Sequence, residues 1–139
     1  MRILFCGSGA FAAPSLRAIL SSDHDLVSVV TQPPRPAGRG GKLRATLVAE
    51  IAREAGRDVI ECANINDEQI VERLRAMKLD VICVAEFGQM IRLPARDTAA
   101  IDTFNVHGSL LPALRGAAPV NWAVIRGHER TGVTTFSLV

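Results

Sequence analysis

"RILFCGSGAFAAPSL", residues 2–16, decides how this chain folds. Residues 2–6 form a short apolar run of strand-forming side chains that stops at Gly7. A second glycine, Gly9, follows closely, and Pro14 then opens a stretch in which Leu16, Ile19 and Leu20 recur at helical spacing. Proline suits the first turn of a helix because its missing N–H would find no partner there. The stretch therefore reads as strand, tight glycine turn and helix, the helix spanning residues 14–22.

The same alternation continues outward. Residues 26–31, 79–85 and 103–107 are further apolar runs rich in Val, Ile and Phe, and Val59 and Ile60 suggest one more short strand. Helical spacing recurs over residues 45–55 and 67–77, the latter with Asn66 as N-cap and Asp67 and Glu68 in its first turn. A helix over residues 117–126 is bounded by Pro119 and Gly127. Nearly continuous apolar strands alternating with helices imply an α/β fold: a Rossmann-like, open, mostly parallel sheet with helices on both faces. The closing "TGVTTFSLV", residues 131–139, reads as a strand cut off on apolar Leu138 and Val139, so the sheet is expected to be truncated at its C-terminus.

With 139 residues, no repeat and no linker, one domain is expected, long enough to bury a real core. No apolar run approaches the ~20 residues needed to cross a bilayer, and the start lacks the apolar core and cleavage site of a signal peptide, so a cytoplasmic protein with no membrane partner is expected. Cys6, Cys62 and Cys83 are odd in number and contain no CxxC pair, which reads as reduced packing residues. No metal site is expected.

The net charge of +2 is unevenly spread. Arg35, Arg39, Lys42 and Arg44 carry four positive charges with no acid among them, which leaves −2 for the rest of the chain. They lie in "TQPPRPAGRGGKL", residues 31–43, and just after it. By its prolines and glycines this is a loop, long for a connection between strand and helix. It is either a solvated insertion or a site for phosphate contacts in a nucleic acid; the single sign of its charges suits the second, although no aromatic side chain is present to stack on bases.

"GSGAFA", residues 7–12, fits the glycine fingerprint of dinucleotide-binding turns. Such a site would carry Asp or Glu at the end of the second strand, and here that strand ends in Thr31, Gln32 and Pro33. Gly7 and Gly9 are accordingly read as serving a tight turn and close helix packing, and a nicotinamide module is disfavoured. Glu86, in "VAEFGQMIRLP" (residues 84–94), falls at a strand's carboxyl end and reads as a rim residue.

"TFNVHGSLLP", residues 103–112, carries the sharpest chemical signal. Residues two apart on a strand share a face, so Asn105 and His107 point one way while Phe104 and Val106 point the other. An amide can donate to an oxygen that becomes negative as a carbonyl is attacked, and an imidazole can carry a proton. A satisfied core histidine beside a structural asparagine is the competing reading. No serine or cysteine is an evident nucleophile, so direct attack by a bound amine on an activated acyl group is the simpler chemistry. His24 and His128 lie in polar turns and read as solvated surface.

Through "NVHGSLLPALRGAAP" the chain resembles the folate-dependent formyltransferases, and "TQPPRPAGRGGKL" narrows the resemblance to those acting on methionyl-tRNA; it runs from Ile3 to Val139. It implies that Asn105 and His107 are catalytic. Ser109, Leu110, Leu111 and Pro112, with Phe87, Gly88, Met90 and Ile91, would bind the folate. Arg35, Arg39, Lys42 and Arg44 would meet the acceptor end of initiator methionyl-tRNA. The reaction implied is transfer of a formyl group from 10-formyltetrahydrofolate to the amino group of methionyl-tRNA in translation initiation, with no metal and no DNA. The sequence departs from the family pattern at Gly9 or Ala10, where a proline is usual, and at Glu86, where a small neutral residue is usual. The family's third catalytic residue, an Asp, would fall about four residues beyond Val139. Residues 1–139 thus correspond to the amino-terminal part of the catalytic domain, without the family's carboxyl-terminal β-barrel, and are expected to be inactive alone. The alternatives are a formyltransferase for another amine, such as glycinamide ribonucleotide or an amino sugar, and a folate- or tRNA-binding module without catalysis.

Overall fold

The computed structural model describes residues 1–38 and 40–138. The elements run β1 (Arg2–Gly7), α1 (Ala13–Leu20), β2 (Asp25–Thr31), β3 (Arg35–Ala37), β4 (Lys42–Arg44), α2 (Leu47–Glu54), β5 (Val59–Glu61), α3 (Glu68–Ala76), β6 (Leu79–Ala85), α4 (Leu93–Arg96), β7 (Ala99–His107), α5 (Pro119–Ile125) and β8 (Thr134–Ser137). Six strands form one sheet in the order β5-β2-β1-β6-β7-β8. The pairs from β5 to β7 are parallel, and β8 joins β7 antiparallel. The mostly parallel sheet with helices agrees with the sequence pattern.

Alternation along the strands divides the core between two faces. Leu4, Cys6, Ile82 and Val84 pack with Val71 and Leu74 of α3 and Ala95 of α4. Ile3, Phe5, Val29, Cys83 and Ala85 pack on the other face with Leu16 of α1 and Val48 and Ile51 of α2. Both faces of β1 and β6 are covered, which is why their sequences read as continuous apolar runs. All three cysteines are free and buried. Burial pushes the Cys83 thiol up to about 11 and raises those of Cys6 and Cys62 as well, so they remain protonated packing groups near neutral pH.

Four expectations are corrected in detail. The basic stretch is more than a loop: Arg35, Pro36 and Ala37 pair antiparallel with Arg44, Leu43 and Lys42. Gly38, Gly40 and Gly41, all at positive φ, allow the reversal, and Pro36 is tolerated because the hairpin has only edges. The N-cap position of the third helix is Asp67, not Asn66, and the Asp67 side chain makes no capping hydrogen bond. The Asn66 side chain instead donates to the Met90 carbonyl and accepts from the Arg92 N–H, both at 2.8 Å. The fifth helix starts at Pro119, because Ala118 before it is left-handed (φ 52°). β7 begins at Ala99, four residues earlier than its apolar run, and its exposed first residues gave no alternating signal.

Chain order places the site. After β1 the chain moves outward through β2 to β5, then returns to lay β6 on the other side of β1 and continues to β7. The reversal lies between β1 and β6, and ligands of open α/β sheets bind beyond the strand ends at such a switch point. The carboxyl ends gathered there are Gly7, Ala85 and, one strand further, His107. Among the described residues no helix is long and apolar enough to cross a membrane.

Candidate functional site

At the end of β1 the glycine turn is fixed by contact. A Cβ on Gly7 would lie 2.8 Å from the Ala85 carbonyl oxygen and 2.9 Å from Cβ of Ala12, so close approach of β6 and α1 demands glycine there, as the sequence suggested. Gly9 has a different reason, because a Cβ there would run into the carboxyl group of Glu86. That carboxylate accepts a 2.7 Å hydrogen bond from the Phe11 N–H, and the Glu86 carbonyl accepts one from the Ser8 N–H at 3.1 Å. The turn that would cradle a phosphate in a dinucleotide fold thus holds an anion of the chain itself. Glu86 is exposed, in line with its reading as a rim residue.

The segment after β6 is tied down by three side-chain amides: Gln89, which the sequence did not mark, and Gln32 and Asn66, which it marked for other reasons. Gln32 donates to the Phe87 carbonyl at 3.2 Å. Gln89 accepts from the Ile65 N–H at 2.7 Å and donates to the Cys62 carbonyl at 2.8 Å, and Asn66 holds Met90 and Arg92. Isolated amides at long sequence separations leave no local pattern, so only the polarity of "FGQM" could have hinted at them. The peptide groups of Gly88 and Gln89 remain open among the described residues.

At the end of β7, Asn105 lies between Val84 of β6 and Phe136 of β8. The Asn105 amide and the His107 ring both line two clefts. One, of about 520 Å³, runs toward Phe11, Glu86, Pro119, Val120 and Asn121. The other, of about 820 Å³, runs toward Gly88, Met90, Ile91, Leu111, Arg115 and Phe136. Phe104 and Val106 pack on the core of the opposite face, as the two-residue period requires.

The His107 ring is half-buried, edge-on to Phe136, with Nε2 2.9 Å from the Leu114 carbonyl oxygen. A carbonyl oxygen only accepts, so Nε2 carries the proton and Nδ1 is the nitrogen left to act as a base. The carbonyl that orients the ring belongs to an irregular segment in which Leu114 (φ 53°) and Ala118 (φ 52°) are left-handed without being glycine. Such strain collects where surrounding structure holds functional geometry. Asp102 is engaged elsewhere, accepting from the Ser137 hydroxyl at 2.8 Å, and lines neither cleft.

The residues expected to meet folate separate into two groups. Gly88, Met90, Ile91 and Leu111 line the larger cleft. Phe87 is buried and lines the smaller cleft; Ser109 is buried, and its hydroxyl donates to the Ala113 carbonyl at 2.7 Å, which closes its own turn. Leu110 is exposed and packs against Gly132, and exposed Pro112 lines neither cleft. Thr134 of β8, missed in the sequence, fastens the same turn by donating to the Ser109 carbonyl (2.7 Å) and accepting from the Leu111 N–H (3.1 Å).

Arg35, Lys42 and Arg44 are exposed on the hairpin. Arg35 and Arg44 are cross-strand partners and share a third cleft, about 440 Å³, with Ser8, Gly9, Gln32 and Glu86. Arg39 lies outside the described residues. His24 and His128 are exposed and line none of these clefts.

Comparison with known proteins gives a consistent result. Residues 1–138 match the family model described as formyl transferase. The methionyl-tRNA formyltransferase of Desulfotalea psychrophila is 45% identical over 138 residues, which cover 99% of this chain and 43% of that protein. The enzyme of the same name from Thermobifida fusca is 44% identical, with 99% and 44% covered. The chain therefore spans less than half the length of these relatives. Among solved structures, glycinamide ribonucleotide transformylase 1 from Symbiobacterium toebii superposes with a TM-score of 0.75 at 24% identity, over 100% of this chain and 66% of that one. A sugar N-formyltransferase from a Shewanella species gives 0.61 at 16%, over 99% and 51%. At these identities the superpositions establish the fold.

Proposed function

This chain belongs to the formyl transferase family, and from that premise we propose that it contributes the catalytic Asn-His pair and the donor cleft to transfer of a formyl group from 10-formyltetrahydrofolate to the amino group of methionyl-tRNA. The observation that carries the proposal is that two clefts meet at Asn105 and His107. A two-substrate transfer needs this arrangement: donor and acceptor approach one reacting carbon from different sides.

The larger cleft suits the donor. Its apolar lining by Met90, Ile91, Leu111 and Phe136, absent from the smaller cleft, together with the open peptide groups of Gly88 and Gln89 that border both, matches a flat heteroaromatic ring with hydrogen-bonding edges. The smaller cleft, toward Phe11 and Asn121, is left for the acceptor amine. As the amine nitrogen attacks the formyl carbon, the carbonyl oxygen becomes negative and the Asn105 amide donates to it. The amine must lose a proton as it becomes an amide; Nδ1 of His107 accepts it, while the Leu114 carbonyl stabilises the resulting imidazolium through Nε2–H. The folate nitrogen takes up a proton as its bond to the formyl carbon breaks.

The hairpin favours a nucleic-acid acceptor over a small amine. Arg35, Lys42 and Arg44 are exposed without salt-bridge partners among the described residues; Arg35 and Arg44 line the third cleft, which shares Glu86, Phe87 and Gly88 with the acceptor cleft, and the three suit the phosphates of initiator tRNA. The test is kinetic, on the protein as its gene encodes it. Asn105→Ala should lower kcat about 10²–10³-fold and His107→Ala about 10²–10⁴-fold, with little change in tRNA affinity. Near-normal turnover in both variants would overturn the assignment.

A further inference from the structure

Glu86 has no role in the chemistry just described, yet it occupies a costly conformation. Its φ of 45° is left-handed for a residue with a side chain, at the end of a buried strand. The backbone turned this way delivers the carboxylate to the Phe11 N–H, 75 residues away in sequence. Gly9 supplies an independent observation. Its own φ is not in the left-handed region, so alanine would be conformationally permitted, and the three atoms nearest a Cβ there all belong to the Glu86 carboxyl group. A Cβ at Gly9 would therefore have to displace the Glu86 carboxyl group.

The clamp leads into the reaction cleft. Holding the Phe11 N–H fixes the Phe11 backbone, and the Phe11 ring lies over Gly108, where a Cβ would come within 3.2 Å of it. Gly108 directly follows His107. Glu86 and Phe11 both line the smaller cleft, and neither lines the larger one. Across the two clefts Glu86 touches, the charged or titratable side chains are Arg35 and Arg44 on the hairpin side and His107 on the reaction side.

We propose that Glu86 is a positioning residue for the acceptor: its carboxylate fills the space over Gly9, clamps the glycine turn and seats the Phe11 ring as the wall of the acceptor cleft. The assignment of that cleft to the acceptor rests on the function proposed above. Glu86→Ala removes the clamp and should raise KM for methionyl-tRNA about tenfold, the loss expected when a charged hydrogen bond is removed. KM for the formyl donor should not change. Glu86→Gln keeps an amide oxygen for the Phe11 N–H and should restore KM to within about threefold of the parent. Gly9→Ala should reproduce the acceptor defect by displacing the carboxylate, and should add nothing in a Glu86→Ala background.

Equal effects on both substrates, no rescue by glutamine, or additive losses from Gly9→Ala and Glu86→Ala would each overturn the proposal. Retained turnover in Asn105→Ala and His107→Ala would sink the functional reading instead. The clamp is then judged by the same four variants in thermal unfolding, where non-additive shifts in Tm support it and additive shifts refute it.

Discussion

The centre of the sheet and its β7–β8 edge differ in how completely they are covered. In β1, Leu4, Phe5 and Cys6 are fully buried between α1 and α2 on one side and α3 and α4 on the other. In β7 only Thr103 is buried, and β8 has no buried residue. Helix α5 buries only Ala123 and exposes Trp122, Val124 and Ile125. The centre has the packing that stabilises a fold, whereas along the edge lie the clefts that reach Asn105 and His107. Asn105 and His107 sit at the boundary, where strand pairing to β6 fixes their backbone and two clefts reach their side chains.

Stability and chemistry should therefore be separable by mutation. The largest stability effect belongs to the centre: Phe5→Ala, at a fully buried position, should cost about 3–5 kcal/mol in urea unfolding. A loss below about 1 kcal/mol would mean that the centre does not carry the fold. The hairpin is the exposed limb of the well-packed half, and it should affect binding without affecting folding. Arg35→Ala with Arg44→Ala should weaken use of methionyl-tRNA and reduce the slope of log affinity against log salt by about one for each phosphate no longer neutralised. An unchanged slope would mean that the hairpin does not touch the tRNA. The smallest effect belongs to the edge: Val124→Ala, at a side chain 76% exposed, should change stability by no more than about 0.5 kcal/mol. A larger loss in the isolated chain would show that the outer face of α5 is packed in solution, and the contrast between centre and edge would narrow.

The same contrast explains what could be read from the sequence. Strands β1, β2 and β6 were legible almost to the residue, because burial on both faces forces a continuous apolar run. The first residues of β7 and the pairing of β3 with β4 were not, since exposed strands need only backbone partners and any side chain supplies those. Within the site, Asn105 and His107 stood out because polar side chains at the exit of an apolar run are unusual, and their shared face follows from the strand period alone. The Gln89, Asn66 and Thr134 fastenings gave no such signal.

Gly9 and Glu86 show the limit most directly. Each was noticed separately, as a departure from a familiar pattern and as a residue on the rim, and nothing in the chain order relates them. The sequence by itself determined the alternation of strand and helix, the glycine turn, the segregation of positive charge between β2 and α2, and the pairing of Asn105 with His107, because propensity and periodicity act over a few neighbouring residues. Only the tertiary structure decided that β6 lies against β1, that the Leu114 carbonyl sets the tautomer of His107, that Ser109 closes its own turn, and that the Glu86 carboxylate rests on Gly9. The first and last are contacts across the sheet and between loops, and even the two local ones depend on a turn whose shape no simple residue pattern encodes.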